Sequence, residues 1–326
     1  MTPEPDGESD AHDLAGIRVT LDPAEHLVGP PAGEDYHALQ VREPGPQQVP
    51  AVRTPYHPGA MTDGRDAEQV IARALGEMEK PVLLEGEAGT GKNTAVLTLA
   101  ERTNRPVTRM NFGADTTVFD LVGEKDLVGG DTVYVLGELA KAALFGWIFV
   151  ADEINMAEGD VTSHLHAICE EVGRRRLTLR GTGRTLTDLP PDVTWDPEKH
   201  LGRYVHPAFR FVGTANPLSY AGTSEMNDAF RSRFVVLPIE YLPPEEEAAL
   251  LIEETGARSI ASDTLSLDHG PSTDFATHYA WLPTGRFGIE CMANLDRVPA
   301  AGATVVIGAP KHRGGSGGPA RIFALV

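Results

Sequence analysis

Cysteine and lysine are both scarce in this sequence, and long apolar runs are missing. Two cysteines, Cys169 and Cys291, in 326 residues exclude a disulfide framework. No stretch approaches eighteen consecutive apolar residues, and the acidic N-terminus has no apolar signal core. The sequence therefore predicts a soluble, cytoplasmic protein with no membrane span. Only six lysines occur (Lys80, Lys92, Lys125, Lys141, Lys199 and Lys311), and 47 acidic against 28 basic residues leave a net charge of −19. Such a surface repels nucleic acid and anionic membranes. It suits a salt-rich cytoplasm, where screening removes the self-repulsion, and so predicts a halophilic protein. What is present is ordinary by comparison: 41% apolar residues, enough core for one large or two modest domains.

The chain is organised around Glu85-Gly86-Glu87-Ala88-Gly89-Thr90-Gly91-Lys92-Asn93-Thr94. An apolar run, Pro81–Leu84, precedes it and Ala95–Ala100 follows, giving strand, glycine loop, helix. Glycines let the backbone curl so that successive N–H groups point at a phosphate chain, and the helix start adds its positive end. Lys92 supplies a point charge for the outer phosphates. The pattern G-x-x-x-x-G-K-[ST] is met from Gly86 to Lys92 and missed at Asn93, where a hydroxyl normally meets Mg2+. An amide carbonyl is also a hard oxygen donor, and Thr94 is the fallback. A chance glycine turn would not need the strand and helix that flank this one.

Residues 1–60 are rich in Pro, Gly, Asp and Glu and read as an acidic, mostly disordered extension, apart from the alternating piece Ile17–Leu21. From Asp66, the residues Val70, Ile71, Ala74, Leu75 and Met78 share a helical face. Further strand candidates are Pro106–Phe112, Trp147–Ala151, Phe209–Ala215 and Val235–Ile239, alternating with helices. Asp131–Val135 reads as a hairpin arm, and Leu177–Arg180 with Arg184–Thr187 as a hairpin. Strands alternating with helices predict an α/β class: a P-loop αβα sandwich with a parallel sheet. The expected organisation is 1–60 extension, 61–243 nucleotide-binding core, and 244–326 a lid remnant with an irregular Gly/Pro-rich tail.

Asp152 and Glu153 close an apolar strand sixty residues beyond Lys92. At that edge the first carboxylate can hold a metal and the second can orient the attacking water. Asn216, before Pro217, closes another strand and can position the water; alone, Asn-Pro is more often a turn. Arg231 and Arg233 sit just before the last strand, where they can reach a γ-phosphate in a neighbouring subunit or simply be solvated. His164 and His166, two apart on a helix, point to different faces and form no zinc pair. Arg174-Arg175-Arg176 reads as a solvated run or a hairpin base rather than a DNA contact.

Taken together, Gly86–Lys92, Trp147–Asn155 with its Asp-Glu-Ile-Asn, Thr214–Pro217 and Phe230–Phe234 resemble the AAA+ ATPases. More narrowly, they resemble the MoxR branch with its CbbQ/NorQ, GvpN and midasin/dynein-related relatives. The likeness covers about 66–255 and rests on four motifs in the right order. Residues 131–139 resemble that branch's helix-2 insert, and 177–187 its hairpin before sensor 1. The resemblance implies that Gly86–Asn93 is Walker A, that Asp152 and Glu153 are the Walker B metal and catalytic acids, and that Asn216 is sensor 1. It also implies that Arg233, with Arg231 second, is the arginine finger. Thr284-Gly285-Arg286 reads either as a sensor 2 arginine or as a solvated loop residue. ATP and Mg2+ are implied, as is a self-assembled hexameric ring acting as a remodelling chaperone on a protein client, often with a von Willebrand A-domain partner. Two other readings are a nucleotide-dependent scaffold with little hydrolysis, favoured by Asn93, and a DNA-linked NTPase subunit, disfavoured by charge.

Glu245–Glu254 reads as the start of a helical lid. After Gly256 the acidity vanishes: five acids and six bases in 257–326 give +1, leaving −20 on 1–256. A divergent lid, a flexible interaction tail and a shifted coding frame all fit that change.

Overall fold

A computed structural model describes residues 12–14, 16–19, 21–47, 49–52, 66–220, 222–243, 246–247, 249–250, 252, 256–268, 273–299, 301–310, 313–315 and 317–326. The chain divides into two compact units, Met1–Tyr241 and Leu242–Val326.

The first unit is built on five strands: β1 (Val82–Glu85), β2 (Val107–Asn111), β3 (Ile148–Asp152), β4 (Arg210–Ala215) and β5 (Val235–Pro238). Their order across the sheet is β5-β1-β4-β3-β2, and every pairing is parallel. A parallel sheet needs a crossover between neighbours and is covered on both faces, which is why its strands read as continuous apolar runs. Side chains still alternate. Val82, Leu84, Ile148, Val150 and Val212 enter one core; Leu83, Phe149, Ala151 and Phe211 enter the other.

The first of those cores is closed by helices α1 (Ala67–Gly76) and α2 (Lys92–Arg102) through Ile71, Leu75, Val96 and Leu99. Asp66 caps α1, its carboxylate accepting from the Glu68 and Gln69 N–H groups. Met78, expected on the buried face, is 54% exposed because α1 ends at Gly76. The second core is closed by α3 (Glu138–Phe145). The hairpin Gly123–Val128/Asp131–Leu136 and the hairpin Arg176–Leu179/Arg184–Asp188 both form in antiparallel register. Arg175 sits at the base of the second one, buried and paired with Asp188 at 2.7 Å, rather than solvated.

The N-terminal extension departs from expectation where it is described, between residues 12 and 52; residues 1–11 and 53–60 lie outside the described residues. Its described residues are ordered: Leu14, Ile17, Val19 and Val28 lie in the second core and Leu39 in the first. Strands Pro31–Tyr36 and Leu39–Arg42 pair, and Arg18–Val19 joins the sheet of the Gly123–Leu136 hairpin. Composition pointed to disorder because proline and acid dilute these few apolar anchors, yet each buries a full side chain, about 1.5–3 kcal/mol apiece.

The second unit is described in pieces. Half of the expected lid helix at 245–254 lies outside the described residues. A helix Ala276–Trp281 is followed by the strand Phe287–Ile289, which pairs in parallel with Ser259–Ala261. Gly288 lies inside that strand. Thr304–Gly308 and Arg321–Leu325 form an antiparallel hairpin.

Candidate functional site at the carboxyl edge of the sheet

The loop between β1 and α2 has the conformation its glycines permit. Gly89 and Gly91 adopt φ of +86° and +82°, the left-handed region that side chains resist. Gly86 lies so close to the chain after β5 that an added Cβ would stand 2.0 Å from the Ile239 carbonyl oxygen. Thr90 Oγ1 donates to the Glu87 carbonyl at 2.9 Å, closing the turn.

Lys92 opens α2 and is buried at 8% exposure. Its ammonium donates to the Gly86 and Glu87 carbonyls at 2.6 and 2.7 Å and to Asn216 Oδ1 at 3.2 Å. Burial pulls its pKa down, and the charges of Asp152, Glu153 and Glu87 pull it back up.

The acids arrive from β3. Asp152 accepts from Thr214 Oγ1 at 2.6 Å, and the same hydroxyl accepts the Glu153 N–H at 3.0 Å. Glu153 itself has φ +56° and ψ +42°, left-handed for a non-glycine residue directly after the strand. Its Oε1 accepts from Asn216 Nδ2 at 2.8 Å. The Asn216 amide thus spans the Lys92 ammonium and the Glu153 carboxylate. Asn155 holds Asn216 in place by donating to its carbonyl at 2.9 Å.

Asn93 donates Nδ2 to both Asp152 oxygens at 3.0 and 2.9 Å, leaving Oδ1 buried and without a partner among the described residues. A serine or threonine hydroxyl donates to the acid and accepts a metal with one oxygen; the amide divides those tasks between two atoms. An orphaned carbonyl oxygen beside a buried carboxylate fits a hard divalent cation. Thr94 lies in the same first turn of α2.

The two arginines diverge. Arg231 makes a two-toothed ion pair with Glu85 at the end of β1, one arm at 2.8 Å. Arg233 instead holds Glu170 through Nε at 2.9 Å and Nη2 at 2.5 Å. Arg286 belongs to the second unit, where its Nε donates to the Ala257 carbonyl at 2.8 Å and its guanidinium lies 5.7 Å from the Trp281 ring centre.

Sequence reasoning passed over several participants. Thr214 and Asn155 lay inside recognised motifs without a role. Arg109 on β2 places Nε 3.6 Å from Asp152 Oδ2. Tyr220 and Tyr241 clasp the loop, donating to Glu87 Oε2 and to the Ala88 carbonyl, both at 2.5 Å. Tyr241 also lines a cavity of about 790 Å³ beside the loop, together with Gly86, Thr90, Asn216 and Arg231. His166 stacks on Phe230 with ring centres 4.8 Å apart, while His164 meets the Asp160 carbonyl. No group of metal-ligating side chains of three or more occurs among the described residues.

Residues 81–234 match the family model of the AAA domain, dynein-related subfamily. The protein NorQ of Paracoccus denitrificans is 29% identical over 189 residues, covering 58% of this chain and 63% of NorQ. An uncharacterized protein of Staphylococcus saprophyticus and one of Staphylococcus aureus are each 30% identical over 176 residues, 52% of this chain and 59% of theirs. The chain thus spans about three fifths of the length of the curated relatives it matches. The first unit has the P-loop α/β fold with a five-stranded parallel sheet. Among the described residues no helix is long and apolar enough to cross a membrane.

Proposed function

We propose that this chain is an ATP-hydrolysing AAA+ protein of the MoxR/NorQ type. The observation that carries the reading is the Asn216 amide, bonded on one side to Lys92 and on the other to Glu153. A phosphate-binding cation and a carboxylate base linked by one polar side chain suit transfer of a phosphoryl group to water.

In this reading the loop N–H groups and Lys92 hold the β- and γ-phosphates of ATP. Glu153 accepts a proton from the attacking water, and Asn216 orients both. Mg2+, when bound beside Asp152 and Asn93 Oδ1, neutralises charge on the phosphate oxygens. Arg233 serves the next copy of the chain, exchanging Glu170 for its γ-phosphate. Arg231, paired to Glu85 of its own loop strand, is the second choice. A hexameric ring, cytoplasmic and working as a remodelling chaperone on a protein client with a von Willebrand A-domain partner, completes the proposal. The net charge of −19 argues against nucleic acid as the partner and fits a salt-rich cytoplasm.

Glu153→Gln keeps the shape and removes the base. ATP binding should persist while steady-state hydrolysis falls by about 10²–10⁴-fold. Unchanged turnover in that variant refutes the assignment. A wild-type protein that binds ATP without hydrolysing it would favour the scaffold reading, for which the Asn93 position is the specific observation.

A further inference from the structure

The amino-terminal edge of the sheet, opposite the glycine loop, gathers positive charge in a strongly acidic protein. Arg210 opens β4, Arg105 stands two residues before β2, Arg42 ends the strand Leu39–Arg42, and His206 lies in the turn ahead of β4. Arg105 is fully buried, and Arg42 and His206 are 9% and 5% exposed.

The partners of these groups are mostly carbonyls. Arg210 donates Nε to the Leu75 carbonyl at 2.5 Å and Nη1 to those of Pro207 and Phe209, each at 2.8 Å; Glu79 lies 3.6 Å from its Nη2. Arg105 donates Nη1 to the Ala208 carbonyl at 3.0 Å and Nη2 to that of Gln40 at 2.8 Å. Arg175 has Asp188. Arg42 and Arg105 have no carboxylate among the described residues, and the Nε of each is buried without an acceptor. The two come from segments bonded to each other: the Arg42 N–H donates to the Thr103 carbonyl, and Asn104 Nδ2 donates to the Arg42 carbonyl, both at 3.0 Å. Burial, with Arg210 and Arg42 beside it, drives the Arg105 pKa well below its ordinary value. The same surroundings keep His206 neutral, since burial comes first among the causes that depress it, followed by the neighbouring arginines.

A guanidinium has only donors and keeps its proton in proteins. Buried without a counter-charge it is strongly destabilising. Water can accept from the stranded N–H groups, but it leaves the buried positive charge of both residues uncompensated. The sequence has 47 carboxylates and directs none to Arg42 or Arg105 among the described residues. We propose that Arg42 and Arg105 hold a small inorganic anion, of the size and charge of chloride, between Leu39–Arg42 and Thr103–Arg105. That ion fastens the N-terminal segment to the base of the sheet and does not depend on the nucleotide reading.

Crystals of the full chain grown with bromide in place of chloride test this directly. An anomalous peak within hydrogen-bonding reach of Nε of Arg42 and of Arg105 is expected. In solution, Tm should rise with chloride to a plateau, by about 2–4 °C, relative to gluconate at matched ionic strength. Arg42→Met should abolish the difference between the two salts. No halide peak at the two arginines, or wild-type melting that follows ionic strength identically in both salts, overturns the proposal. Should Arg42→Met fail to fold, the bromide map of the wild type still decides.

Discussion

The central strands of the first unit and the hairpin Thr304–Gly308/Arg321–Leu325 of the second use similar residues and arrive at opposite surroundings. Every residue of β3, Ile148 to Asp152, is buried. Val305, Val306 and Ile307 of the hairpin are 49%, 48% and 37% exposed, and Phe323 is 56% exposed. The difference lies in the neighbours each strand acquires. β3 is flanked by parallel strands on both edges and by helices on both faces, whereas the hairpin has one pairing edge and no cover among the described residues. Apolar β-branched residues therefore specify a strand but not its burial; the crossovers between strands supply that.

Truncation separates the two regions most widely. Phe149 is fully buried, with its ring centre 5.3 Å from that of Phe211. Phe149→Ala should cost about 3–5 kcal/mol, read from the midpoint of denaturant unfolding. That loss is a large share of the roughly 5–15 kcal/mol typical of a folded domain. A cost below about 1 kcal/mol would mean that the strand is less enclosed than its neighbours make it.

The parts of the site that were legible in the sequence are those signalled locally. Gly86, Gly89 and Gly91 announce the loop, an apolar run ending in two acids announces β3, and Asn216 follows the same logic. What stayed hidden depends on pairing across long separations. Glu85 meets Arg231 146 residues away, and Arg233 meets Glu170 63 residues away. No periodicity records which acid an arginine will find. Thr214 was hidden for another reason: a threonine inside an apolar strand reads as filler until its hydroxyl is seen between Asp152 and the Glu153 N–H. In the described part of the N-terminal extension only Ile17 and Val19 fall in a recognisable alternating piece; the other anchors, Leu14, Val28 and Leu39, are too widely spaced to show a period.

A buried titratable group sharpens the contrast within the first unit. His206 is enclosed, its Nδ1 accepting the Ala208 N–H at 3.0 Å, and its pKa is driven well below 6.5. For a base whose folded pKa is depressed, stability is intact above the unfolded value. It falls with decreasing pH, as the unfolded chain takes up a proton that the folded one refuses. Below about pH 6.5 the unfolding free energy should therefore drop by about 1.4 kcal/mol per pH unit from this group. His206→Gln should flatten that slope even if it lowers stability at neutral pH. An unchanged slope would place the acid sensitivity elsewhere.

The smallest effect is expected at the hairpin. Val306 stands opposite Phe323 in antiparallel register. A cross-strand pair of this kind contributes about 0.2–1 kcal/mol, and an isolated two-stranded hairpin is marginal in water. Val306→Ala should accordingly change unfolding of the full chain by less than about 1 kcal/mol and leave the proposed ATP hydrolysis untouched. A cost approaching that of Phe149→Ala would erase the contrast between the two regions, because a half-exposed valine loses that much only when another surface covers it. The size of this small effect thus measures how much of the apolar face of the hairpin is in contact with solvent.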